Sequence, residues 1–193
     1  MTTAPAAPAA WRLLDPGEGP LTVDEWFTRE DFPDRCEIFQ GMLLMAPPPG
    51  GSHQAITTQL SAAFVVYSRA NGGVALTAPI GVILASDVGF EPDVLYLTRD
   101  RAHYLRRRGV EGPPDIVVEV ASRGTRRFDM ETKLPTYLAH GVREVWIVDP
   151  VAKTVTVHEP DGEARVCRFG EPIPSRIVDI GTGWLESLPE VAE

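Results

Sequence analysis

Apolar residues fall in short runs along the chain, and the runs follow two different periods. Ile116-Val117-Val118-Glu119-Val120 is a near-continuous β-branched run bounded by Pro113-Pro114 and by a polar loop, which predicts a buried strand over 115–121. CEIFQGMLLMAP (36–47) carries two apolar runs around Gln40-Gly41, the pattern of a tight hairpin, and Pro47-Pro48-Pro49-Gly50-Gly51 ends it. Ile56, Leu60, Ala63, Phe64 and Tyr67 recur at helical spacing and predict a helix capped by Ser52, running to about Ala70, and stopped by Asn71-Gly72-Gly73. Thr22 followed by Glu25 predicts a capping box at the start of an earlier helix. Strands are expected near 74–78, 80–85 and 93–97, whereas 98–112 is charged and without a clear period. A helix is predicted from about 125 to 140, kinked by Pro135 and stopped by Gly141. The runs 143–149 and 153–159 flank Asp149-Pro150 as a second hairpin, a further strand is expected near 164–169, and 177–193 shows no pattern. Strands outnumber helices, and one strand–helix–strand unit spans 115–149. Together these predict a mixed α/β domain built on one central sheet.

Composition narrows the picture modestly. The 193 residues suit one domain with a sizeable core, placed here over 20–193 behind a disordered Ala/Pro-rich tail over 1–19. MTTAPAAPAAW has neither the basic nor the apolar region of a signal peptide, and glycines and Pro79 split the longest charge-free stretch, 70–86. A cytoplasmic protein with no membrane partner is expected. Cys36 and Cys167 lie in no metal-binding spacing and imply free thiols. The net charge of -9 argues against a nucleic-acid partner only as a sum, because a local basic patch can survive inside it.

Glu119 is the position that asks for chemistry. An ionised carboxylate inside an apolar strand is costly to bury unless something meets it. Two features are candidates: Glu91-Pro92-Asp93 at the start of the preceding strand, and the following helix, where Asp129 and Lys133 lie four residues apart on one face. Carboxylates from adjacent strands with a lysine beside them would cradle a hard divalent cation. Simpler readings compete: Pro92-Asp93 as turn chemistry, Glu119 paired with an arginine, and Lys133 as a solvated charge. The chain holds two lysines, Lys133 and Lys153, against sixteen arginines, so lysine at 133 stands out as a compact charge with an adjustable pKa.

The run PPDIVVEVAS…FDMETKLPTYLAHGVREVWIVDP resembles the Uma-two family of restriction-endonuclease-like proteins, within the PD-(D/E)XK nuclease superfamily. RCEIFQGMLLMAPPPGGSHQ (35–54) and GFEPDVLYL (89–97) resemble earlier blocks of that family in the same order. The resemblance implies a central mixed sheet flanked by helices, with extra hairpins, and Mg²⁺-dependent hydrolysis of phosphodiester bonds, with Mn²⁺ as a substitute. It implies Asp93 and Glu119 as metal ligands, the Val120 carbonyl as a third and Glu37 as a further one, with Lys133 completing the catalytic set. His53 and Asp129 match family positions as accessory residues. Two departures are visible. The superfamily's usual lysine, two residues after the strand carboxylate, is Ala121 here, which leaves Lys133 on the helix as its replacement. The loop after the strand reads Ser122-Arg123-Gly124-Thr125 rather than a Ser-Pro-Ser-like run.

Nine basic and six acidic residues lie between Arg99 and Lys133, so the local balance is basic although the whole is acidic. Ser122, Arg123, Arg126 and Arg127 flank the expected site as candidate nucleic-acid contacts, and Arg106 to Arg108 are either phosphate contacts or a solvated run. DNA is the expected substrate, and a homodimer would suit the cutting of two strands. The competing expectation is a non-catalytic binding or assembly module that keeps the fold; a weaker third is a hydrolase of another phosphate ester.

Overall fold

The computed structural model describes residues 12–14, 19–33, 35–45, 48–122 and 124–186. Strand–helix–strand patterning dictates its centre. β9 (Ile116–Val120) and β10 (Glu144–Asp149) are parallel neighbours, joined through the helical segment between them. β11 (Thr154–His158) and β12 (Arg165–Arg168) extend the sheet antiparallel on one side. β7 (Val94–Leu97) and β4 (Val74–Thr77) extend it antiparallel on the other, giving the order β12-β11-β10-β9-β7-β4. This is the expected mixed central sheet.

A second six-stranded sheet accompanies it, which the expectation of one sheet did not include. Its order is β1 (Arg12–Leu14), β3 (Met42–Met45), β2 (Glu37–Phe39), β6 (Val88–Phe90), β5 (Val82–Ala85) and β8 (Val110–Glu111). The predicted hairpin at Gln40-Gly41 is β2–β3, and both turn residues have positive φ, 51° and 75°, as a two-residue hairpin turn requires. Arg12–Leu14 pair with β3, so part of the expected tail is an edge strand.

Alternation along β9 serves two cores. Ile116, Val118 and Val120 pack with Ile56, Leu60 and Phe64 of α2 (Gly51–Asn71) and with Trp146. Val117 and Ala121 face Phe39, Phe90 and Tyr137, between the sheets. α2 begins at Gly50 as N-cap rather than at Ser52, and no side chain caps it. The capping box of α1 (Val23–Thr28) forms as expected.

The helix predicted over 125–140 is not one regular helix. Arg126–Phe128 (α3) leads into a π turn, Asp129–Lys133, and then into α4 (Leu134–Ala139). Pro135 lies at the start of α4; it has no N–H to return to the preceding turn and its ring crowds the carbonyl four residues back. The turn ahead of it is widened, with the Leu134 N–H bonded to the Asp129 carbonyl. Asp129, Thr132 and Lys133 point inward, while Met130 and Glu131 stay exposed.

Buried Glu144 ties the C-terminal segment to the central sheet by accepting from Trp146 Nε1 (2.9 Å), Ser175 Oγ (2.7 Å) and the Arg176 N–H (2.7 Å). Glu144→Ala strands these donors and is expected to cost about 3–5 kcal/mol in urea unfolding; a loss under about 1 kcal/mol would show that the segment is held otherwise.

Candidate active site

Five segments converge on one pocket of about 110 Å³, lined among others by Glu37, His53, Glu91, Asp93, Glu119, Val120, Ser122, Asp129 and Lys133. Sheet register places the first pair. Val94 is opposite Val118 in the antiparallel β7–β9 ladder, which continues to Asp93 opposite Glu119, with both side chains on one face. The Val120 N–H donates to Asp93 Oδ2 (2.7 Å) and fixes that carboxylate. Glu37 arrives from β2 of the second sheet, so the pocket lies where the two sheets meet.

Lys133 stands between the carboxylates. Its Nζ is 2.8 Å from Glu37 Oε1 and 2.9 Å from Glu119 Oε1, and all three residues are at most 5% exposed. Tyr137, one turn further on, donates through its hydroxyl to Glu119 Oε1 (2.8 Å), and the Glu91 N–H donates to Glu37 Oε1 (2.8 Å). The ring of Phe90 lies 5.5 Å from Lys133 Nζ and packs edge-on against Tyr137.

A pattern emerges from these contacts. Glu37, Asp93 and Glu119 are each held through one oxygen by fixed donors. Among the described residues, Glu37 Oε2 is buried with no partner, and no hydrogen bond is formed to Asp93 Oδ1 or Glu119 Oε2.

Electrostatics follow from burial and crowding. Desolvation pushes the Glu37 carboxyl up and that of Glu119 well up; Lys133 pulls both back, and the neighbouring acids add to the rise. Burial raises Asp129 to about 6 and Glu91 to about 7. Burial alone would lower Lys133, but Glu119, Glu37 and Asp129 together hold it well above an ordinary lysine, so it stays charged. Five acids around one buried ammonium are a cavity with negative charge in excess.

Among the described residues, no three His, Cys, Asp or Glu side chains are gathered as a ready-made metal cage; Lys133 holds the space between Glu37 and Glu119. The donor chemistry nonetheless fits a hard divalent cation. The oxygens left over are carboxylate oxygens, one of them orphaned and buried, and the surplus charge has the sign a cation would neutralise.

The structure thus brings together Asp93, Glu119, Lys133, Glu37 and Val120, with His53, Asp129 and Ser122 lining the same pocket. Arg123 lies outside the described residues. Arg126 and Arg127 are exposed and sit away from the lining, Arg126 paired with Asp149 and Arg127 with Glu131. Tyr137, which holds Glu119 in the candidate site, was missed in the sequence, and Glu91 was noted there only as part of Glu91-Pro92-Asp93, without a role of its own. The four-residue step from Lys133 to Tyr137 was a usable signal; the backbone contact of Glu91 was not.

The family model described as "Uma2: Putative restriction endonuclease" matches residues 24–182. The chain belongs to the Uma2 family. Family membership puts the chain among proteins that carry that description, as the three sequence blocks indicated. The chain is also similar to the crystal structure of "a putative nuclease belonging to DUF820" from Anabaena variabilis, at 20% identity over 83% of this chain and 96% of that one, with a TM-score of 0.68; this shows the shared fold. A search of curated proteins finds no match. Among the described residues, no helix is long and apolar enough to cross a membrane.

Tyr137→Phe is expected to cost about 1–3 kcal/mol, because one of the two donors to Glu119 Oε1 is lost. It is also expected to weaken divalent-metal affinity in calorimetry, since Glu119 gains freedom to rotate. Unchanged affinity would show that Lys133 alone orients the carboxylate.

Proposed function

We propose that this Uma2-family protein is a metal-dependent nuclease that hydrolyses phosphodiester bonds of nucleic acid, with DNA the expected substrate. The observation that carries the proposal is the arrangement of Glu37, Asp93 and Glu119. Each is anchored through one oxygen and, among the described residues, has its other oxygen uncommitted, around a charged lysine in one pocket.

Asp93 and Glu119 would hold a divalent cation, Mg²⁺ or Mn²⁺, with the Val120 carbonyl and Glu37 as further ligands. Bound there, the cation supplies Lewis-acid polarisation of the phosphate ester and a lower pKa for water at the site. Lys133 acts as a fixed positive charge and hydrogen-bond donor. It does not act as a base, because the acids around it keep its proton on. It offsets the negative charge that develops as phosphorus is attacked and orients the attacking water. Tyr137 holds Glu119, Val120 holds Asp93, and Asp129 keeps Lys133 protonated.

Arg35, exposed in the pocket lining, and Ser122 are the nearest groups for the flanking phosphates. Arg126 and Arg127 would serve only after leaving their acidic partners. That pairing, with the net charge of -9, is what favours the second reading, a nuclease fold used for binding without chemistry. The reaction class is tested by competition among supercoiled plasmid, single-stranded DNA, RNA and a small phosphodiester. Metal-dependent cutting of DNA that the small ester does not compete for supports the proposal. Hydrolysis of the small ester alone contradicts it.

A further inference from the structure

One pocket group has a chemistry that a Mg²⁺ site does not call for. His53 lies on the first turn of α2, with 14% of its side chain exposed, and its Nε2 stands 3.1 Å from Asp93 Oδ2. No aligned hydrogen bond joins the two; the bond to Asp93 Oδ2 comes from the Val120 N–H. The other ring nitrogen, Nδ1, is buried without a partner among the described residues. The imidazole's polar contact among the described residues is therefore the one to Asp93, on the pocket side. An imidazole nitrogen and a carboxylate oxygen at that spacing span about the edge of an octahedron with bonds of about 2.1–2.2 Å. Glu37, whose side chain is 6% exposed, lines the same pocket with Oε2 unpartnered.

Building on the metal-dependent reading above, we propose that His53 is a ligand to the cation through Nε2, beside Asp93, and that the site selects a transition-series cation of the Mn²⁺ kind over Mg²⁺. Mg²⁺ takes oxygen ligands and keeps its waters, and an imidazole adds little to its binding. For a first-row transition cation the same nitrogen is a strong donor, and affinity at such sites rises along that series. The remaining donors are carboxylate oxygens, which suit Mn²⁺ better than the softer, nitrogen- and sulfur-seeking ions.

The test is calorimetric titration of the metal-stripped protein with Mn²⁺ and, separately, Mg²⁺, for the parent, His53→Ala and His53→Gln. Electron spin-echo spectra of the Mn²⁺-loaded samples would look for nitrogen modulation, and thermal melts would confirm that each variant folds. The parent is expected to bind Mn²⁺ more tightly than Mg²⁺ and to show the nitrogen modulation. Both variants should lose the modulation and about tenfold or more of their Mn²⁺ affinity, the scale seen when even a supporting partner of a metal ligand is removed, while Mg²⁺ affinity changes little. Saturable binding of both ions with no nitrogen signal, or one Mn²⁺/Mg²⁺ ratio in all three proteins, overturns the role of His53 and leaves the nuclease reading standing. No saturable binding of either ion by the folded parent overturns both.

Discussion

Lys133→Met is expected to destabilise the protein by about 3–5 kcal/mol, the cost of breaking a buried ion pair by removing one partner. Lys133 is 3% exposed and lies within 3 Å of both Glu37 Oε1 and Glu119 Oε1. Without it, among the described residues, Glu37 keeps the Glu91 N–H and Glu119 the Tyr137 hydroxyl as the remaining donors. Burial already raises both carboxyls with the lysine present, so the variant must protonate them or admit water. Lys133→Arg is not expected to restore the parent, because a planar guanidinium needs more room than an ammonium wedged against Phe90. Divalent metal should recover part of the lost stability, since a cation bound only by the folded state shifts unfolding by mass action. Urea unfolding with and without Mn²⁺ reads both effects. A loss under about 1 kcal/mol would mean that Lys133 is not the charge that makes this pocket tolerable.

Glu119→Gln is expected to lower cleavage by about 10³-fold or more, roughly 4 kcal/mol of barrier, and to cost only about 1 kcal/mol of stability, because Lys133 keeps Glu37 as an ion-pair partner. Its amide oxygen can still accept from Lys133 and Tyr137, so the packing survives, while one negative charge leaves a pocket that holds too many. The two substitutions thus separate structure from chemistry at the same ion pair. Removing the lysine is expected to cost fold and activity together; neutralising the glutamate is expected to cost activity far more than stability. Unfolding curves and single-turnover cleavage on the same preparations read the contrast. A Glu119→Gln variant that still cleaves at the parental rate would place the chemistry elsewhere.

Much of this site could be read from the sequence because its constraints are local. A carboxylate inside IVVEV is anomalous whatever surrounds it, and the alternation of β9 put Glu119 on the face opposite Ile116, Val118 and Val120, as found. The scarcity of lysine singled out Lys133. The Gln40-Gly41 turn and the Thr22–Glu25 cap depend on neighbours in sequence, and both formed. What escaped depends on pairing across distance. β1, β6 and β8 are two or three residues long, too short to show a period, so the second sheet was invisible and with it the reason Glu37 reaches Glu119. Pro135 announced a disturbance in the helix, but a widened turn that brings both Asp129 and Lys133 inward needs the backbone to be seen. Ser52 lost the cap position to Gly50 because the chain enters α2 two residues before the best capping side chain.

Whether metal held by this carboxylate set cuts nucleic acid, with Lys133 as a fixed charge, is tested by the conversion of supercoiled plasmid by the purified protein with Mn²⁺, with Mg²⁺ and with chelator, run beside Glu119→Gln. Nicked and linear DNA is expected with metal, none with chelator, and none from folded Glu119→Gln. Cleavage that survives chelation, or that Glu119→Gln retains, would contradict a metal-dependent nuclease at this site.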